Sequence, residues 1–95
     1  MTREHLEETF KLYLDRWGRH YAPERIDTEQ FFPAGERSKA MSHAMWMCER
    51  CLEFLRDGDE EKANRWLGFV QATFWACGHY TIDEMRAHIT AATDP

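Results

Sequence analysis

The sequence predicts an all-α fold: a helical hairpin with an N-terminal and a short C-terminal helix packed on it, one small helical bundle over residues 1–95. Three observations carry this expectation. Between Arg37 and Gly78, two stretches with large apolar residues at helical spacing flank the turn Asp57-Gly58-Asp59. Near the N-terminus, Leu6, Phe10, Leu14 and Trp17 recur at steps of four, four and three. Towards the C-terminus, Thr81-Ile82-Asp83-Glu84 has the form of a capping box, a hydroxyl at the helix start and a carboxylate three residues on.

The first helix is expected over about residues 3–20, with Tyr13 and Tyr21 widening its apolar stripe. Glu4, Glu7 and Glu8 lie in its early turns, where negative charge suits the helix dipole. Gly18 weakens its last turn, and Pro23 bars continuation by lacking an amide proton. Residues 21–35 hold Pro23, Pro33 and Gly35 and no stripe, so they read as a connecting loop with one helical turn opened by Thr28. The adjacent Phe31 and Phe32 cannot share one helix face. Their ordinary role is to tack the loop onto the bundle; the sharper alternative is an exposed anchor for a partner.

The second helix is expected over about residues 36–57. Met41, Met45, Cys48, Leu52 and Leu55 form a heptad-like seam, and Ala44, Met47, Cys51 and Phe54 form a second stripe beside it. Two stripes call for two neighbours, one of which could be another subunit. Gly58 suits the left-handed position that ends the helix. The third helix is expected over about residues 60–77, capped by Asp59, with Glu60 and Glu61 in its first turn. Ala63, Trp66, Leu67, Val70, Phe74 and Cys77 form its main stripe, broadened by Phe69, Thr73, Trp75 and Ala76, which predicts burial over more than half its circumference. Gly78 supplies the stop. The fourth helix is expected over about residues 82–90, with Tyr80 and Met85 placed as a hydrophobic staple and the tail from Thr90 fraying.

Composition narrows the function classes. Hydrophobic residues at 43% and aromatics at 14% support a packed interior rather than disorder. No apolar run approaches the ~20 residues needed to span a bilayer, and no basic-then-apolar leader is seen, so the expectation is a cytoplasmic protein without a membrane partner. The net charge of -5 and interleaved basic and acidic residues disfavour direct nucleic-acid binding, which depends on neutralising phosphates. An acidic surface suits basic protein partners instead. The odd set Cys48, Cys51 and Cys77 reads as reduced thiols.

Cys48-Glu49-Arg50-Cys51 invites zinc or redox chemistry, with Cys77 and His79 as the further ligands. Across a hairpin turning at Gly58, however, residues 48 and 51 face about residues 69 and 66. Cys77 then lies roughly 12 Å further along, at ~1.5 Å per residue, too far for tetrahedral ligation. Core packing is the expectation, with no metal and no cofactor. The same register brings His43 near residue 74, within a turn of Cys77, but no oxyanion donor accompanies the pair. Glu49, Glu53, Glu60 and Glu61 resemble the carboxylates of helical nucleotide pyrophosphatases, yet Arg50, Arg56, Lys62 and Arg65 are interspersed, as on a solvated salt-bridged face. Gly35-Glu36-Arg37-Ser38-Lys39 opens the second helix and is the best anion-binding candidate, through Arg37, Ser38, Lys39 and free amides. It lacks the glycine spacing of a P-loop. Four tryptophans exceed what one small core needs, so Trp46 and Trp75, at stripe edges, are candidates for a homodimer or target interface.

Lys62 to Gln71, followed by Phe74-Trp75, Gly78 and Thr81 to Met85, resembles a segment recurring in small accessory proteins of tailed bacteriophages; Arg37 to Met47 resembles the same group. The likeness covers roughly Arg37 to Ile89. It implies a phage accessory origin and carries over no catalytic residue; such proteins are often made early and act against host machinery or defence systems. The resulting expectation is a non-enzymatic, homodimeric binding protein. It would inhibit a host or bacterial-defence protein, as an anti-CRISPR does, through an acidic and aromatic surface of Glu49, Glu53, Glu60, Glu61, Trp46, Trp75, Phe31 and Phe32. The alternative is an oligomeric sponge that sequesters a cyclic nucleotide signal at Arg37, Ser38 and Lys39.

Overall fold

Four helices and no strand make up the described residues, 2–33 and 35–93 of a computed structural model, with side-chain surroundings given through Ile89. The helices are α1 (Arg3–Trp17), α2 (Arg37–Arg56), α3 (Glu60–Ala76) and α4 (Ile82–Thr93). The all-α hairpin with flanking helices is therefore the architecture of this chain. Its ends differ in detail from the sequence expectation. α1 stops at Trp17 rather than near His20 because the amides of His20 and Tyr21 both fold back onto the Trp17 carbonyl, at 2.9 and 3.1 Å. α4 runs to Thr93, beyond the expected end near residue 90.

The helix ends are built as the local sequence dictates. The Thr2 hydroxyl accepts from the His5 amide, and the Asp59 carboxylate accepts from the Lys62 amide. Gly58 and Gly78 take positive φ, +86° and +79°. Each closes a Schellman motif: the Asp59 amide donates to the Phe54 carbonyl at 2.8 Å, and the His79 amide to the Phe74 carbonyl at 2.9 Å. At α4 the reciprocal capping box forms, Glu84 N–H to the Thr81 hydroxyl at 3.1 Å and Thr81 N–H to the Glu84 carboxylate at 3.0 Å. The flanking Tyr80 and Met85 are both buried.

α2 lies at the centre, packed most on α3 and next on α1, while α4 packs against α1. Its two stripes thus find their two neighbours within one chain. Ala40, Met41, Ala44, Met45, Met47, Cys48, Cys51 and Leu55 are buried, and Leu6, Phe10 and Tyr13 of α1 and Val70 and Phe74 of α3 complete the core. α3 departs from expectation. It buries Ala63, Leu67, Val70, Thr73 and Phe74, but Gly68, Phe69, Ala72, Trp75 and Ala76 face solvent. The excess of large apolar residues on α3 reflects an open face rather than a second buried one. The loop between α1 and α2 is pinned to α2 by the Glu24 amide on the Ser42 carbonyl and the Ile26 amide on His43 Nδ1. The turn at its centre is opened by Asp27, whose carboxylate accepts from the Glu29 amide and whose carbonyl accepts from the Gln30 amide, not by Thr28.

Candidate functional site

The largest side chains outside the core are gathered along the open face of α3 and the loop beside it. Phe31 is 91% exposed, Trp75 58%, Phe69 57% and Phe32 50%. Between loop and helices runs a groove of about 410 Å³ whose walls include Ile26, Phe32, Pro33, His43, Phe69 and Ala72. Among the described residues, none that carries a formal charge lines it. The expectation that both loop phenylalanines tack the loop down is corrected here: buried Pro33 and half-buried Ile26 do that, and Phe31 points away from the bundle. The sequence signal for this face lies between Trp66 and Gly78, where the chain carries no charged residue at all. A helix wet on one side normally places charge there.

Trp46 belongs to a different structure. It is half-buried and stacks on His43 at 5.6 Å with 19° between planes, and Trp66 lies beyond it at 6.0 Å. The guanidinium groups of Arg25 and Arg50 lie over its ring, and the Lys62 ammonium caps Phe54 and Trp66. This stack ties the loop, α2 and α3 together, so Trp46 acts first as packing. His43 sits within it, its Nδ1 accepting the Ile26 amide at 3.2 Å and its ring edge-on to Phe69. Partial burial, helped by the nearby Arg25 charge, lowers its pKa and keeps Nδ1 free to accept. Its neighbours are the loop and Phe69 rather than Cys77.

The four acids are spread out. Glu53 is held by Arg50 at 2.9 Å and approached by Arg56 at 3.9 Å, and Glu61 is paired with Arg65 at 3.2 Å. Glu49 and Glu53 line a shallow cleft against α1 together with Arg3, Lys11, Arg50 and Arg56, a surface of mixed sign. Glu60 and Glu61 lie in the first turn of α3. These acids make no single mask, and among the described residues no group of three or more carboxylate, histidine or cysteine side chains converges as metal ligands would.

The start of α2 is open: Glu36 makes no side-chain cap, and the first turn carries no acid. Ser38 and Lys39 line a cleft of about 350 Å³ that also holds Arg25, but Glu24 and Asp27 share it, and Lys39 already pairs with Glu36 at 3.0 Å. Arg37 is directed elsewhere, close enough to Cys77 and His79 for its charge to act on both: it partly offsets the upward push of burial on the Cys77 thiol and adds to the downward push of burial on His79. The three residues expected to cradle a phosphate therefore do not converge on one point. Cys48, Cys51 and Cys77 are free and buried. Burial pushes their thiols up, Cys51 to about 12, so they stay protonated and unreactive near neutral pH.

A polar network joins α1, α3 and α4. The Gln71 amide donates to the Tyr13 hydroxyl at 3.0 Å, and the same hydroxyl lies 3.0 Å from His88 Nδ1. Trp17 Nε1 donates to the Tyr80 hydroxyl at 2.9 Å, and Tyr21 meets His79 at 3.4 Å. Burial raises the Tyr13 phenol to about 12 and lowers the pKa of His88, whose neighbour Arg16 acts in the same direction. Gln71 to Tyr13 to neutral His88 is the donor order that satisfies all three. Sequence periodicity placed Tyr13 in the core but gave no hint of this network, because its partner His88 lies 75 positions away.

Comparison with protein-family models, with curated proteins and with solved structures finds no match. No helix among the described residues is long and apolar enough to cross a membrane.

Proposed function

We propose that this chain is a protein-binding module that works as a homodimer and inhibits a bacterial host or defence protein by occupying its surface. One observation carries the binding reading: Phe31, Phe32, Phe69 and Trp75 stand exposed, Phe32 and Phe69 lining a charge-free groove, whereas the chain's other aromatics are packed or hydrogen-bonded. Exposed aromatics beside a preformed depression are the usual anchors of protein interfaces. The resemblance to small phage accessory proteins supplies the class of target. The loop aromatics are the contact residues in this reading, and the salt-bridged acids are peripheral to it.

The test is affinity capture from bacterial lysate with the native protein and with a Phe31→Ala, Phe32→Ala double variant. A protein held stoichiometrically by the native chain should bind the double variant at least ~30-fold more weakly, as expected for hot-spot loss of ~2 kcal/mol. A Glu60→Lys, Glu61→Lys variant should retain it. Equal capture by all three proteins would remove the aromatic reading, and loss in the lysine variant alone would restore the acidic one.

A second reading is favoured by the uncapped start of α2 beside Ser38, Lys39 and Arg25: sequestration of a cyclic nucleotide. Calorimetric titration of cyclic dinucleotides that gives no heat at ~100 μM ligand would eliminate it, since useful sequestration requires tighter binding than that.

A further inference from the structure

We infer that the open face of α3 is the homodimer interface, with two copies crossing antiparallel about a two-fold axis at Ala72. This rests on the proposed pairing of two copies and adds the face, the orientation and the residue on the axis.

The first argument is charge. Each copy carries a net charge of -5, so two copies repel through most of their surface. The uncharged run from Trp66 to Gly78 is where they can meet without opposing like charges, and Ala72 is its midpoint. In an antiparallel crossing centred there, the charged first two turns of α3, with Glu60, Glu61 and Arg65, pass beyond the contact on both sides.

The second argument is the spacing. At about 100° per residue, Gly68, Ala72 and Ala76 form the central ridge of the exposed face, with Phe69 on one flank and Trp75 on the other. Small residues on the ridge let two helix backbones approach closely. Phe69 and Trp75 stand symmetrically, three residues before and after Ala72. With Ala72 on the axis, Phe69 of one copy and Trp75 of its partner therefore lie at the same level and close the contact from opposite flanks. Gly68 and Ala76 exchange places in the same way. Such self-matching is what an isologous interface requires and what an unrelated partner would not need.

The third argument is area. Phe32, Phe69 and Trp75 at their exposures leave roughly 330 Å² in solvent, taking ~200 Å² per ring. A standard interface takes roughly 800 Å² from each partner, so these rings supply about two fifths of what a second copy must cover, and the small-residue ridge between them adds to it. The two loops, carrying Phe31, then flank the paired α3 helices and remain available at the rim.

The experiment is sedimentation equilibrium of the full chain and of Ala72→Glu, each monitored by circular dichroism. The native chain should run at twice its 11.3 kDa mass, and Ala72→Glu, which sets two carboxylates against each other on the axis, as a folded monomer. A second variant guards against misfolding: Ala72→Cys treated with diamide should yield a covalent dimer, whereas Asn64→Cys, exposed on α3 two turns away, should not. A native chain that stays monomeric to ~100 μM overturns both the pairing and this interface. A dimer that survives Ala72→Glu, without an Ala72→Cys cross-link, overturns this interface and leaves the pairing standing.

Discussion

Two aromatic clusters at opposite sides of α3 differ in how their edges are satisfied. On the inner side, Tyr13 lies edge-on to Phe74 at 4.7 Å and to His88 at 5.5 Å, and its hydroxyl is engaged by Gln71 and His88. Tyr80 lies edge-on to Phe74 and His88 and receives the Trp17 indole N–H. On the outer side, Phe31, Phe32 and Phe69 carry no polar handle, and Phe32 and Phe69 line a groove without charge. The inner cluster uses ring geometry and hydrogen bonds to fix α1, α3 and α4 in one arrangement. The outer one contributes little to that arrangement and keeps apolar surface in water against the hydrophobic effect, which is the basis of the binding reading proposed above. The same residue class thus serves stability on one side of α3 and, in the proposed function, recognition on the other.

The largest expected effect separates the two clusters directly. Tyr13→Ala empties a fully buried site and leaves His88 and Gln71 without their shared partner. It should cost about 3–5 kcal/mol, a large part of the ~5–15 kcal/mol stability of an ordinary domain. Phe31→Ala, at an exposed position, should change stability by less than ~0.5 kcal/mol. Urea unfolding of both variants at pH 7.5 measures the contrast. Comparable losses would mean that the outer aromatics also hold the fold together, and the division proposed here would fail.

How much of this was readable beforehand follows the range of the interactions. The capping box at Thr81 and Glu84, the glycine stops at Gly58 and Gly78 and the Asp59 cap are set by residues within five positions of one another, and all formed as local chemistry requires. The inner stripe of α3 was legible from period alone. Its outer face was misread because periodicity counts apolar residues without telling a second buried face from an exposed one; the missing charges between Trp66 and Gly78 were the available signal. The contacts of Tyr13 with His88 and Tyr21 with His79 span 75 and 58 positions, and no spacing rule reaches them. Among the site residues, the exposure of Trp75 followed a sequence argument from surplus tryptophans, that of Phe31 ran against the expectation that it tacks the loop down, and the scatter of Glu49, Glu53, Glu60 and Glu61 depended on how α1 and α3 pack around α2.

The next effect in size is pH dependence, and it sharpens the comparison because the histidines sit on both sides. His43, His79 and His88 all have pKa values lowered in the fold, in each case by burial first and then by a neighbouring arginine. A histidine whose folded pKa is depressed binds its proton more readily when unfolded. Its contribution is therefore complete above the unfolded value of ~6.5 and is lost as pH falls below it towards the folded pKa. Glu7 and Glu84, lowered by hydrogen bonds to Lys11 and Thr81, act in the same sense in a more acidic window, below ~4.5. The urea midpoint should be flat from pH 8 to 7 and decline between pH 6.5 and 5. His88→Gln should flatten that decline by relieving the inner network, and His43→Gln by relieving the loop clamp. A midpoint that holds steady to pH 5 in the native chain would show that neither side depends on neutral histidine.

The smallest effect concerns how α4 is held. Its first turn is fixed locally by the reciprocal bonds of Thr81 and Glu84, and it meets the inner cluster through His88, about two turns along. Thr81→Ala removes the acceptor for the Glu84 amide and should cost about 1 kcal/mol. If α4 and the Tyr13 network form one cooperative unit, that loss appears as a lower global urea midpoint with an unchanged slope. If α4 instead opens by itself, hydrogen exchange accelerates in residues 82–89 while α2 amides keep their protection. The His88 to Tyr13 bond favours the first outcome, because releasing α4 unpairs a phenol that Gln71 alone then serves. The outer face, which has no contact of this kind, should register no change in the exchange of Gly68 or Ala72.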